Sequence, residues 1–168
     1  MTGISYYDSP LGRLLIKAED DAICGLWFVG QKYFPERLLN AVAMNEDMAI
    51  IVSARRWLEE YFSGGRPSIS QLNLGPEGSD FRRAVWEILC SIPYGQSMSY
   101  GQIARKLEAE SGRKVSAQAV GGAVGHNPIS IIIPCHRVLG TNSALTGYAA
   151  GLEVKTALLD LEGISYAK

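Results

Sequence analysis

Cysteine and histidine are scarce in this chain, with three of the first and two of the second among 168 residues. Cys24, Cys90 and Cys135 are odd in number and share no repeated spacing, which excludes a disulfide framework. Free thiols point to a reducing compartment, so a cytoplasmic location is expected. The same scarcity removes any zinc-binding spacing, and neither a metal nor a cofactor is expected. No apolar run approaches the roughly 18 residues of a membrane span. No charged-then-apolar leader opens the sequence, so no membrane partner is expected. Charge of one sign is lacking too. Sixteen Lys+Arg against 17 Asp+Glu leave a net charge of −1, and no global field draws the chain to nucleic acid. There is no internal repeat and no low-complexity tract.

What is present is apolar substance. Hydrophobic residues make up 47% of the chain, enough for one ordinary domain or two small ones packed together. The halves differ in charge. Residues 1–78 hold 7 Lys+Arg against 10 Asp+Glu, and residues 79–168 hold 9 against 7, so a nucleic-acid contact belongs to the second half.

The first thirty residues read as a β-meander of three apolar-rich runs, 3–8, 13–18 and 22–29, separated by turn residues. A short helix is expected over 35–43, starting at Pro35. A stronger one is expected over 47–62, where Ile51, Ala54, Leu58 and Tyr61 repeat at helical spacing and Gly64-Gly65 supplies a stop. The Pro- and Gly-bearing stretch 66–78 is the best boundary, giving domains at 1–75 and 76–168. Beyond it, Ser79 or Asp80 caps a helix carrying Phe81, Val85, Ile88 and Leu89 on one face. Ser99 caps a helix to about residue 110, Gly112 interrupts, and Ser116 caps a third helix to about Gly125. Two short helices about a polar, glycine-containing turn make a helix-turn-helix. Residues 130–133 read as a short buried strand, 139–151 as a glycine-rich loop, and 152–161 as a last helix with Val154, Leu158 and Leu161 in register.

Ile133-Pro134-Cys135-His136-Arg137-Val138 is either a small buried cysteine followed by two polar surface residues or the seat of the chemistry. A thiol, an imidazole and a guanidinium stand in succession after a strand-halting proline. Both basic neighbours favour the thiolate, the nucleophilic form, which a free thiol of pKa ~8.5 adopts only to a few per cent at neutral pH. In an extended chain adjacent side chains point to opposite faces, so contact between Cys135 and His136 needs a bend at Pro134 or a bridging water. Glu162, near the end of the last helix, is a candidate to orient the imidazole. Residues 116–125 pose a second question. Two adjacent glycines, Gly121 and Gly122, cost roughly 1 kcal/mol each in mid-helix. Either close packing within the protein or close approach of nucleic acid offsets that cost, a slim Ala/Gly face suiting a narrow groove. Tyr100 is either a core aromatic or a phenol that donates to a base or phosphate. Asn127 is either a helix-end turn former or part of the site. Cys24 and Cys90, in apolar runs, read as core.

The signature around Cys135 resembles that of the O6-alkylguanine-DNA alkyltransferases. Residues 99–104, 119–123, Asn127-Pro128, Gly147-Tyr148, Gly151-Leu152 and 161–163 fall in that family's order. The likeness is strong over 79–163. Before that it holds in general form, as a small ribonuclease-H-like α/β domain, and the whole is expected to be α+β. The resemblance implies that Cys135 accepts the alkyl group and that His136 is its base through a bound water. It implies that Glu162 orients His136, that Asn127 braces the turn, and that Tyr100 bonds the flipped base and helps turn its phosphate. It implies DNA contact by Tyr100, Ala117, Gln118, Ala119, Gly121 and Gly122. It also implies a base pocket of Val124, Val138, Tyr148 and Ala149, the last through its N–H. Gln118 departs from the arginine of well-known members, which lowers the cationic support expected there. The implied partner is double-stranded DNA carrying O6-alkylguanine, with O4-alkylthymine also open, and a monomer is expected. The competing readings are a lesion-binding module without chemistry, disfavoured by the presence of Cys135, and a turning-over thiol hydrolase, disfavoured by the adjacency of thiol and imidazole.

Overall fold

A computed structural model describes residues 1–167 and divides into two compact units, Met1–Glu77 with Pro128–Ser130, and Gly78–Asn127 with the residues from Ile131 onward. The first unit holds an antiparallel sheet of β1 (Thr2–Ser9), β2 (Gly12–Glu19) and β3 (Ala22–Phe28), in that order. Two-residue connections link them, as the turn residues require, with Asp20 at positive φ. In β2 the consecutive Leu14, Leu15 and Ile16 are all buried, so both sheet faces are covered. Leu15 packs with Ile4, Trp27 and Leu38 on one of them. Helix α1 (Ala49–Phe62) buries Ile51, Ala54, Trp57, Leu58 and Tyr61, and its chain turns away at Gly64 (φ 94°).

The helix expected over 35–43 is only a single 3-10 turn, Glu36–Leu38. The edge of β1 holds the end of this stretch extended: Tyr6 Oη donates to Ala41 O at 2.7 Å, and Ile4 and Met44, just beyond it, exchange both N–H···O bonds at 2.9 Å. Pairing along β3 also explains a second difference. Leu26 N–H donates to Pro128 O and Ser130 N–H to Leu26 O, both at 2.8 Å, so the extended segment is 128–130. Residues 131–133 form a turn instead of the expected strand, with buried Ile131 at φ 70°. A β-branched residue in that region is strained by roughly 1–3 kcal/mol.

The second unit holds α2 (Asp80–Cys90), α3 (Tyr100–Ser111), α4 (Ala117–Gly125) and α5 (Leu152–Glu162). A parallel pair, β4 (Met98–Ser99) and β5 (Val138–Leu139), joins the lead of α3 to the residues after Cys135. Serine side chains cap α2, α3 and α4 as their sequences dictate, and Ser99 with Gln102 forms a full capping box. Gly112 (φ 72°) ends α3 in the left-handed conformation and opens the turn to α4. Trp86 Nε1–H donates to Ala123 O at 2.8 Å and ties α2 to α4. Phe81, expected on the inner face of α2, is 37% exposed, and Trp86 takes that place. On α5 the buried residues are Lys155, Leu158, Leu159 and Glu162 rather than the Val154, Leu158 and Leu161 row. Cys24 and Cys90 are half-buried rather than core. No helix among the described residues is long and apolar enough to cross a membrane.

Candidate active site

The backbone bend that Cys135 needs is an inverse γ-turn centred on Pro134 (φ −81°, ψ 64°), closed by Cys135 N–H donating to Ile133 O at 2.8 Å. Asn127 Nδ2 donates to the same carbonyl at 2.8 Å, so one buried amide fixes the turn from the end of α4. Cys135, His136 and Arg137 then form a 3-10 turn, and all three are buried. The turn sends the imidazole and the guanidinium to one carboxylate. Glu162 Oε2 accepts from His136 Nε2 at 2.5 Å, and Oε1 accepts from Arg137 Nε at 2.8 Å and from Gly95 N–H at 3.1 Å. Arg137 also donates to Ile92 O at 2.6 Å and lies over the Tyr94 ring. Arg137 supplies the counter-charge that a buried carboxylate needs. Burial, the largest influence, pushes the His136 pKa down against the opposing pull of Glu162. The ring is then neutral, with its proton on Nε2 and its basic lone pair on Nδ1.

The sulfur has different company. Burial pushes the Cys135 thiol pKa up, and the Asn127 amide, the Lys155 charge and the Tyr148 hydroxyl each oppose it. Arg137 was expected to serve the thiolate, but its guanidinium is committed to Glu162. The cation whose field reaches the sulfur is Lys155. Lys155 is 1% exposed, and its ammonium donates to Val138 O at 2.7 Å, with Thr146 Oγ1 at 3.2 Å, Thr146 O at 3.3 Å and Gly147 O at 3.4 Å sharing its remaining protons. Its pKa is pushed down to about 8, chiefly by burial. Tyr100 shares a hydrogen bond with Thr146 Oγ1 at 2.9 Å, and its own pKa is raised, foremost by burial. A chain of polar groups thus runs from Tyr100 through Thr146 to Lys155 and Val138.

In front of Tyr100 and Thr146 lies a cleft of about 980 Å³, bounded by α3, the start of α4 and the strained turn 141–143. The outer face of α4 is bare. A methyl group added at Gly121 would meet only the Tyr100 ring at 3.8 Å, and one at Gly122 would meet nothing. Packing inside the protein therefore does not demand these glycines.

Two family models cover the chain: the 6-O-methylguanine DNA methyltransferase ribonuclease-like domain over residues 4–76, and the DNA binding domain of the same proteins over 80–164. The chain belongs to the 6-O-methylguanine DNA methyltransferase family. It is 41% identical over 162 residues to the methylated-DNA--protein-cysteine methyltransferase of Haemophilus influenzae, covering 96% of this chain and 87% of that one. It is 39% identical over 167 residues to the constitutive enzyme of Bacillus subtilis, covering 97% and 98%. The crystal structure of Mycobacterium tuberculosis OGT in complex with DNA matches with a TM-score of 0.80 at 38% identity, over 94% of this chain and 90% of that one.

Among the residues that the family resemblance singles out, the structure gathers Cys135, Asn127, Tyr148 and Tyr100 on one side, and His136 with Glu162 on the other. Tyr100, Ala117, Gln118 and Gly121 line the cleft. Ala119 and Gly122 are exposed on α4 without lining it, while Val124 and Val138 are buried and Ala149 half-buried away from it. Cys135 is 6% exposed and does not line the cleft either. Lys155 and Thr146 escaped the sequence reading. Lys155 had a usable signal, since it stands seven residues before Glu162 and shares its helix face with Leu158 and Leu159.

Proposed function

We propose that this family member repairs DNA by taking an alkyl group from the O6 atom of guanine in a duplex onto the sulfur of Cys135, once and irreversibly. The observation that carries this reading is a buried thiol, attended by Asn127, Tyr148 and Lys155, on the same turn as a neutral imidazole held by a buried carboxylate. A guanine stacked in a duplex cannot present its O6 substituent to such a sulfur, so the base swings out, at a cost of a few kcal/mol that a weakened lesion pair lowers. The bare face of α4, with Ala117, Gln118, Ala119, Gly121 and Gly122, meets the minor groove, and Tyr100 bonds the everted base. Val124, Val138, Tyr148 and Ala149 form the walls it reaches. Tyr100 and Thr146 line the cleft, and Tyr100 lies within electrostatic reach of Cys135, so the Tyr100–Thr146 hydrogen bond opens as the base enters.

His136 takes the thiol proton through a bound water, and Glu162 keeps the ring in the tautomer that accepts it. The thiolate attacks the alkyl carbon, the carbon–sulfur bond forms and the carbon–oxygen bond breaks. The guanine takes up one proton as the imidazolium releases one, so the count balances. Hydrogen bonding at the departing oxygen stabilises the charge that develops there. The thioether has no route back, and the protein is consumed. Residues 76–168 are the alkyltransferase domain of this reading and 1–75 the accompanying α/β domain. The three free thiols fit action in the cytoplasm. Mass spectrometry after incubation with a methylated duplex tests it. The Cys135 peptide is expected to gain one methylene with a stoichiometry of one, and Cys135→Ser to gain none. Repeated turnover, or a gain on any other residue, overturns the reading.

A further inference from the structure

Arg105, one helical turn beyond Gly101 on α3, is the one charged residue among the described residues lining the cleft, and no acid lines it. Its side chain lies back toward the start of the helix. A methyl group added at Gly101 would stand 3.4 Å from its Nη1, in ordinary contact, so the guanidinium lies against the first turn of α3. Arg105 is exposed, and among the described residues it has no ion pair or hydrogen bond. Every other polar side chain lining the cleft is a neutral hydroxyl or amide, Tyr100, Gln102, Gln118, Asn142 and Thr146 among them. Gln118, exposed at the start of α4, contributes no charge.

A cleft with neutral hydrogen-bonding walls and one uncommitted guanidinium is matched by an anion that also accepts several hydrogen bonds. We propose that Arg105 is the phosphate-binding cation of the cleft, holding a backbone phosphate of the strand that carries the lesion. This rests on the repair reading above. The planar fork of arginine donates in parallel to two phosphate oxygens, which a neutral amide cannot reproduce. Each phosphate neutralised in this way releases condensed counterions and leaves its mark on the salt dependence of binding. The contact carries no sequence information, so it acts on damaged and undamaged duplexes alike.

Fluorescence anisotropy of the full chain against a methylated duplex and its unmodified counterpart, across a series of KCl concentrations, reads this directly. Arg105→Gln is expected to weaken binding about tenfold at low salt on both duplexes and to reduce the slope of log K against log[KCl] by about 0.9. Its unfolding midpoint is expected to stay in place, because the side chain supports no other contact. Lys106→Gln, the next residue on α3 but outside the cleft, is expected to leave the slope unchanged and controls for loss of charge alone. An unchanged slope for Arg105→Gln, or an equal loss for Lys106→Gln, overturns the proposal. Adduct formation on Cys135 is followed in parallel in the unaltered protein. An adduct without the slope change leaves repair standing and removes Arg105 from it, whereas the slope change without an adduct does the reverse.

Discussion

Helix α4 turns Ala117, Gln118, Ala119 and Gly122 to solvent and buries Val120, Ala123 and Val124, whereas α5 buries Lys155 and Glu162 beside Leu158 and Leu159. One helix has been stripped on its outer face and the other loaded with charge on its inner face. The costs differ in kind. On α4 two glycines forgo helix propensity worth about 1 kcal/mol each, with nothing inside the protein that requires it. On α5 two ions are taken out of water at several kcal/mol each, offset by the four acceptors around Lys155 and the three donors around Glu162. A surface that must be approached closely is made by removing atoms. A buried site that must hold a thiolate and a base is made by adding charges and satisfying each one.

The most damaging test of this contrast is Glu162→Gln. The neutral amide leaves Arg137 buried without its counter-charge and frees His136 to take the other tautomer. Stability is expected to fall by about 3–5 kcal/mol, read as a lower urea midpoint at unchanged m, and the transfer rate by about a hundredfold or more. A loss under about 1 kcal/mol would mean that α5 carries its charge without strain.

Lys155→Met comes next, with an expected fall of about tenfold in single-turnover transfer at neutral pH, because the buried thiolate loses its neighbouring positive charge. Its pH profile separates charge from packing. With the Cys135 pKa raised, the reactive thiolate is a minority species, and the rate rises with pH. Lys155 loses its proton at about pH 8, and its support for the thiolate goes with it, so the unaltered protein's profile flattens there. In Lys155→Met that break is expected to vanish. Should it persist, the inflection belongs to another group. Linkage gives an independent reading of the same ammonium. Its pKa in the folded protein is about 8, below the usual value of 10.5, so the unfolded chain binds more protons between those limits. The Lys155 contribution to stability therefore improves as pH rises through that window.

The gentlest test lies on α4. Gly122→Ala and Gly121→Ala are each expected to raise stability by about 0.5–1 kcal/mol, since neither methyl group meets a clash. Both are expected to weaken duplex binding several-fold. Improved stability with undiminished affinity would show that α4 does not approach DNA on this face.

Much of this was legible along the chain. Serine caps, glycine stops and alternating apolar runs are local signals, and the meander, α1 and the α3–α4 pair follow from them. The run from Ile133 to Val138 offers thiol chemistry by residue type, beside the plainer reading of a buried cysteine. The failures have a common cause. Residues 35–43 keep only one 3-10 turn where β1 holds Ala41 and the neighbouring Met44, and the strand expected over 130–133 gives way where Pro128–Ser130 pair with β3, both through partners distant in the sequence. On α5, apolar periodicity selected Leu161 over Glu162 and passed over Lys155, because counting hydrophobic residues cannot detect a charge whose partners lie elsewhere in the sequence.

By itself, then, the order of residues determined the local elements, their caps and the succession of thiol, imidazole and guanidinium, since these depend on groups a few positions apart. Only the tertiary structure decided which cation serves which anion. Arg137, adjacent to Cys135, went to Glu162, and Lys155, twenty residues on, came to the sulfur. The reason is that electrostatic influence depends on distance through a buried, weakly screening interior, and separation along a chain says little about separation in space.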